Sequence, residues 1–256
     1  MTRITYITIT YQARHTVKRT LDSILNQDYP HITHIIIDGA STDGTLDLIQ
    51  DYMLRSEIAG NGHTVQMTSE PDNGIYDAMN KGLRSATGDY VCFLNAGDFL
   101  PATDVVSRIV ASLGSQSPAV LYGDTDIVDT EGRFLHHRRL APPEHLTWQS
   151  FRQGMLVCHQ AFYARTDYAI ATPYDLRYRY SADVDWCIRI MREAEKEGVP
   201  LLNLRMVVAN YTEEGQTTLH HRESLLERYR VMQHHYGALQ TFFLHCWFVV
   251  RSVLKR

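Results

Sequence analysis

The chain has 256 residues, 44% hydrophobic and 21% charged, with a formal net charge of −4. That length buries a substantial core, as one large α/β domain or a domain with an appendage, and the charge balance lacks the basic surplus of a general nucleic-acid binder. Cys92, Cys158, Cys187 and Cys246 are too far apart for a Cys-x-x-Cys metal knot or a disulfide framework. Reduced thiols in a cytoplasmic setting follow. No run approaches the ~20 apolar residues that span a bilayer, and the opening MTRITYITITYQ reads as a strand rather than a signal peptide.

Ile4 to Thr10 alternates and is rich in β-branched residues, which predicts the first strand. Val17, Leu21, Ile24 and Leu25 mark an amphipathic helix that ends before Pro30. His34 to Ile37 is a second buried strand, running into Asp38-Gly-Ala-Ser-Thr-Asp-Gly-Thr45. Leu46, Ile49, Met53 and Leu54 outline the next helix face, with Ser41 or Thr42 available to cap it. Thr64 to Thr68 is a third strand. Strands alternating with helices of this length imply a mostly parallel sheet with right-handed crossovers.

Ser69 to Leu100 is the stretch around which the chain is organised. Ser69 to Gly74 is dense in turn formers, and Ile75, Ala78, Met79, Leu83 and Ala86 then fall at helical spacing. After Gly88, the run Asp89 to Leu94 suits a buried strand, and Asn95-Ala96-Gly97-Asp98 follows at once. Open α/β sheets bind ligands at the carboxyl ends of their strands. A carboxylate there, beside a glycine that lets a ligand approach the backbone, suits a hard cation bridging to phosphate oxygens.

Further on, Val105 to Leu113 reads as a helix and Ala119 to Tyr122 as a strand, with a hairpin over 126–135 turning at Gly132. Residues 154–165 read as a strand containing His159 and Gln160. A helix runs from Ser181 to Glu197, stopped by Gly198, and Leu201 to Ala209 is the last strand. From Leu219 the chain is helical and increasingly basic. No glycine follows the first strand in a Gly-x-Gly-x-x-Gly pattern, and no Gly-Lys-Ser/Thr loop is present. Dinucleotide hydride transfer and P-loop hydrolysis are therefore disfavoured.

The stretch Glu70-Pro-Asp-Asn-Gly-Ile-Tyr-Asp-Ala-Met-Asn-Lys-Gly82 together with Phe93-Leu-Asn-Ala-Gly-Asp98 resembles the inverting glycosyltransferases of family 2, which have the GT-A fold. The resemblance covers most of residues 4–100. It implies one GT-A domain over residues 1–215, with a mostly parallel central sheet, and a helical tail over 216–256. It also implies transfer of a sugar from a nucleotide-diphosphate sugar, a UDP-sugar by expectation, to an acceptor hydroxyl with inversion. A rival reading is an inactive sugar-nucleotide-binding scaffold, because Asn95 and Gly97 stand where many members carry carboxylates. On this resemblance Asp98 is the metal ligand for Mn2+ or Mg2+. Thr10, Tyr11, Asp38, Asp72, Lys81 and Asn95 belong to the nucleotide-sugar site, with Lys81 a second charge on the diphosphate. His159 and Gln160 match a His-Gln pair that touches acceptor or diphosphate, although a lone strand histidine also suits the core.

Tyr180-Ser-Ala-Asp-Val-Asp-Trp186 resembles the segment that carries the family's catalytic base. Ser181 is a good N-cap, placing Asp183 in the first turn. Asp185 lies four residues before Arg189, which suits a surface ion pair, and Asp183 has no such partner. Asp183 is therefore the expected base. Without the resemblance it reads equally as a first-turn carboxylate favoured by the helix dipole. The His220-His221 and His234-His235 pairs read as solvated helix residues rather than metal ligands.

The tail from Leu219 carries six Lys or Arg against two acids, +4, which leaves about −8 on the remainder. Phe242 to Val250 is aromatic, apolar and too short to span. Two uses stay open for it: peripheral contact with the inner face of a membrane bearing a lipid-linked or saccharide acceptor, or packing on the domain's core or in a homodimer.

Overall fold

The computed structural model describes residues 1–213 and 221–254. The expected boundary at 215/216, His220, Lys255 and Arg256 lie outside the described residues. Among the described residues the strands are β1 (Ile4–Thr10), β2 (Ile32–Asp38), β3 (Thr64–Ser69), β4 (Tyr90–Phe93), β5 (Val120–Val128), β6 (Phe134–His137), β7 (Phe162–Arg165) and β8 (Leu201–Thr212). The helices are α1 (Val17–Leu25), α2 (Thr45–Ala59), α3 (Ile75–Ser85), α4 (Val105–Leu113), α5 (Thr166–Ala171), α6 (Ala182–Glu197), α7 (His221–Tyr236) and α8 (Ala238–Leu254).

The strands form one sheet in the order β3-β2-β1-β4-β7-β5-β6, with β8 on the other side of β5. β1 runs parallel to β2 and β4, β2 to β3, and β5 to β8, whereas β7 is antiparallel to β4 and β5. Every residue of β1, β2 and β4 is buried, as expected for parallel strands covered on both faces. The main core joins these strands to α3, α4 and α6. Its centre is an aromatic stack: Tyr76 on Tyr174 at 5.3 Å and Tyr174 on Trp186 at 5.0 Å, with Phe93 edge-on to both Tyr174 and Trp186. That stack fixes α3, β4 and α6 relative to one another, and so fixes the two segments that carry the candidate site.

Several sequence expectations are corrected. Residues 154–165 are not one strand: a 3-10 helix, His159–Ala161, precedes a short β7. Residues 119–122 and the first arm of the hairpin are one strand, β5. The α2 face centres on Ile49, Tyr52 and Ser56, and Leu54 is exposed. Neither Ser41 nor Thr42 caps α2, because Gly44 stands at its N-cap and Asp43 Oδ1 accepts the Thr45 amide at 3.0 Å.

Candidate active site

The site forms where β1, β2 and β4 end. Thr10 and Asp38 are register partners across β1 and β2, as are Asp38 and Ser69 across β2 and β3. The fully buried Asp38 carboxylate accepts from Thr10 Oγ1 (2.8 Å), Ser41 Oγ (2.6 Å), Ser41 N (2.8 Å) and Ser69 Oγ (2.8 Å). Burial acts to raise its pKa, and these bonds outweigh it and hold the carboxyl below the usual range. Asp38, expected in the nucleotide-sugar site, here clasps three strand ends together. Gln12 and Ala40, next to those ends, have φ of 50° and 60°, a left-handed conformation uncommon outside glycine.

Tyr11 projects into solvent, 67% exposed. A Cβ on Gly39 would lie 2.6 Å from Asp72 Oδ2 and 3.1 Å from the Tyr11 ring, so a side chain there would displace both. Gly39 thus lets the Asp72 loop close over the end of β2. Asp72 Oδ1 accepts the Gly74 amide at 2.8 Å. Lys81 is not a free countercharge: Nζ pairs with Glu70 Oε1 and donates to the Pro71 carbonyl, both at 2.8 Å. It staples α3 to the loop before it.

The loop after β4 turns at Gly97, whose φ of 107° suits glycine. Asp98 is buried there. Its Oδ2 accepts from Gln160 Nε2 at 2.7 Å, and the Thr212 amide lies 3.3 Å from Oδ1. Burial pushes the carboxyl up to about 6, against the Gln160 bond and the His159 charge, which act to lower it. Among the described residues no three His, Cys, Asp or Glu converge to cage a metal. Asn95 Oδ1, however, is buried with no hydrogen-bond partner among the described residues. One buried carboxylate and one orphaned amide oxygen fit a hard cation whose shell is completed by substrate phosphates and water.

Asp183 lies in the first turn of α6, and Tyr76 OH donates to its Oδ1 at 3.1 Å. His159 Nδ1 sits 3.4 Å from Oδ2, while His159 Nε2 meets Asn95 Nδ2 at 3.1 Å. The neighbours His159 and Gln160 thus join the Asp183 segment to the Asn95–Asp98 loop. Successive residues of a strand point to opposite faces, so the 3-10 turn is what brings both side chains to one place. Burial acts to raise the Asp183 pKa; the His159 hydrogen bond and the charges of His159 and Arg228 outweigh it and keep the group a carboxylate.

Asp185 pairs with Arg189 Nε at 2.6 Å as expected, but the pair is not on the surface. Asp185 is 2% exposed, and His235 Nε2 meets its other oxygen at 2.8 Å. The reading of His234-His235 as solvated fails for His235, which α7 carries into the core. The Ser181 hydroxyl does not cap α6 but donates to the Ser224 carbonyl at 3.3 Å. Sequence reasoning missed Tyr76, Thr212, Glu227 and Arg228. Tyr76 stood inside the recognised stretch, whereas the other three carry no local signal.

A mostly parallel sheet with an acidic loop at its carboxyl edge and a buried carboxylate opposite is the layout of a GT-A sugar-nucleotide fold. S. aureus TarS 1–349 in complex with UDP-GlcNAc superposes with a TM-score of 0.70 over 90% of this chain and 64% of that one, at 17% identity. The mannosyltransferase PcManGT of Pyrobaculum calidifontis, in complex with GDP-Man and Mn2+, gives 0.61 over 90% and 63%, at 20% identity. The chain thus spans less than two thirds of either structure, and these likenesses speak to the fold. Residues 5–170 match the family described as Glycosyl transferase family 2, and the chain belongs to that family. It is 34% identical over 201 residues, 76% of this chain and 71% of the relative, to a PGL/p-HBAD biosynthesis glycosyltransferase of Mycobacterium tuberculosis. It is 40% identical over 158 residues, 60% of this chain and 58% of the relative, to the putative teichuronic acid biosynthesis glycosyltransferase TuaG of Bacillus subtilis.

Proposed function

We propose that this chain transfers a sugar from a UDP-sugar to an acceptor hydroxyl with inversion, in cell-surface polysaccharide or glycolipid biosynthesis. The observation that carries the reading is the ionised, buried Asp183, tied through His159 and Gln160 to the Asn95–Asp98 loop. Asp183 takes the acceptor proton as the acceptor oxygen attacks the anomeric carbon from the face opposite the diphosphate. The bond from that carbon to the diphosphate oxygen breaks, and its electron pair leaves with the nucleoside diphosphate. Mn2+ or Mg2+ held at Asp98, with Asn95 Oδ1 as a neutral oxygen, would supply charge stabilisation for the departing diphosphate. Tyr11, Asp72 and the strand ends clasped by Asp38 form the nucleotide side of the site. The relatives named for PGL/p-HBAD and teichuronic acid biosynthesis support the acceptor class.

Asp98→Asn removes the one carboxylate of the loop. It is expected to abolish Mn2+-dependent turnover and weaken UDP binding measured by calorimetry; full activity of this variant in EDTA would contradict the metal assignment. No transfer or hydrolysis by the unaltered chain across a panel of sugar nucleotides that it binds would favour the scaffold reading instead.

We further propose a peripheral membrane contact on the cytoplasmic face through α8. No helix among the described residues is long and apolar enough to cross a membrane. On α8, Leu239, Phe242, Phe243 and Trp247 are all more than half exposed and share one stripe, while Leu244 and Phe248 of the other face pack on the core. Aromatic rings beside a basic segment suit an interface with anionic lipid.

A further inference from the structure

Helix α7 lies along α6 with one stripe of side chains. Ser224 accepts the Ser181 hydroxyl, and Val231 and Met232 are buried. His235 reaches both Asp185 and Arg192 Nη1, the latter at 3.4 Å. At the start of α6, the Glu227 carboxylate accepts three successive backbone amides, those of Arg179 (2.7 Å), Tyr180 (2.5 Å) and Ser181 (2.7 Å). These lie just ahead of the first turn, where a helix leaves its amides without partners and favours negative charge. Arg228 is the next residue and lies one turn on from Ser224, so it is on the face turned to α6. Its Nε is buried and makes no hydrogen bond among the described residues.

We propose that α7 completes the catalytic site, with Glu227 fixing the start of the base-bearing helix and Arg228 holding a positive charge at the Asp183 carboxylate. Both are positioning residues for the transfer reaction, and the inference rests on that reading. A buried carboxylate that must stay ionised needs a lasting cation, and His159 supplies one only when protonated. A guanidinium, unlike an imidazole, is a permanent cation in proteins. An anchor at Glu227, adjacent in sequence, prevents the guanidinium from drifting away from Asp183. The Asp183 charge interaction with Arg228 agrees with this placement.

The test uses the full chain and its Arg228→Met, Arg228→Gln, Arg228→Lys, Glu227→Gln and Asp183→Asn variants. Asp183 is titrated directly by NMR of carboxyl-labelled aspartate, its resonance assigned as the one missing from Asp183→Asn, so no turnover is needed. The other titratable groups facing Asp183 are His159, Tyr76, Tyr174, Cys158, Cys187 and Tyr211, and none is altered. The Asp183 midpoint is expected to rise by about one pH unit in Arg228→Met or Arg228→Gln and to return in Arg228→Lys. With donor and acceptor saturating, the neutral Arg228 variants and Glu227→Gln should lose about tenfold in kcat, with donor KM changed less than about twofold. The acidic limb of kcat/KM should move upward with the Asp183 midpoint in the Arg228 variants. A purely structural α7 would lower the melting temperature and leave the Asp183 titration and kcat of the folded variants unchanged, which overturns the proposal. If the unaltered chain transfers no sugar, the transfer reading has failed, and if Asp183→Asn transfers as well as the unaltered chain, its assignment of Asp183 as the base has. If Asp183→Asn is inactive while the Arg228 and Glu227 variants are fully active, only the present inference has.

Discussion

Asp183 and Asp185 are two residues apart, and their environments give them different work. Asp183→Asn should reduce kcat by ~10²–10⁴ at nearly unchanged donor affinity, since in the proposed reaction the group acts on the acceptor proton. Asp185→Asn should instead cost about 1–3 kcal/mol of stability, because the amide keeps one acceptor oxygen where Asp185 gives one each to Arg189 and the buried His235. Its kcat, measured well below the melting temperature, should stay close to that of the unaltered chain; an equal loss in both variants would reverse the assignment. The sequence separated the two by spacing alone, through Arg189. It could not see that His235, 50 residues on, closes over Asp185.

His34 offers a pH prediction at the same scale. Thr8 Oγ1 donates to the Leu94 carbonyl at 2.7 Å, so it accepts from His34 Nε2 at 2.9 Å. Tyr52 OH then donates to His34 Nδ1 at 2.7 Å, and the imidazole is neutral. Burial lowers its pKa to about 3. Below the ordinary value of about 6.5 the unfolded chain binds a proton that the native state refuses, so stability falls as pH drops from there toward 3. Urea titrations should show this slope, about 1.4 kcal/mol per pH unit at its steepest, and His34→Gln should flatten it. An unchanged slope would mean that His34 is protonated in the fold.

At the scale of elements, loops closing on strand ends make the site. Gly39→Ala puts a Cβ against the Asp72 carboxylate, the mobile end of a side chain, so the stability cost should stay near or below about 1 kcal/mol. Donor affinity should nevertheless weaken severalfold as Asp72 and Tyr11 are pushed aside, a change that calorimetry with UDP would register. Equal affinity would remove Asp72 from the nucleotide site. The strands and helices around this loop were legible because β1, β2 and α3 carry strong period-2 or helical patterns. The His159–Ala161 turn was not, because five apolar or small residues before His159-Gln160 and four after it mimic a strand, and the pull of Asp98 on Gln160 comes from 62 residues away.

At the scale of the molecule, α7 and α8 both pack, and α8 also presents a free apolar stripe. Phe243→Glu and Trp247→Glu alter side chains that are 67% and 57% exposed, so the fold should tolerate them. The unaltered chain should float with anionic vesicles, more weakly at high salt, and the double variant should stay with the soluble fraction at an unchanged melting temperature. Flotation of the double variant would exclude this stripe as the docking face. A concentration-dependent dimer that the double variant loses, with no flotation of either, would assign the stripe to a second copy.

By itself the sequence determined the α/β class, the first four strands in order, the acidic loop after β4 and the family likeness. Each is written in contiguous residues, through period, turn chemistry or a local string. Only the tertiary structure decided what surrounds each carboxylate. Tyr76 meets Asp183 across 107 positions, Gln160 meets Asp98 across 62, and Glu227 reaches the amides ahead of α6 across 46 to 48. Such pairs depend on which helix packs over which strand end. A one-dimensional pattern carries no distance between segments that far apart, so ionisation, burial and the packing of the tail became readable only once the sheet had brought them together.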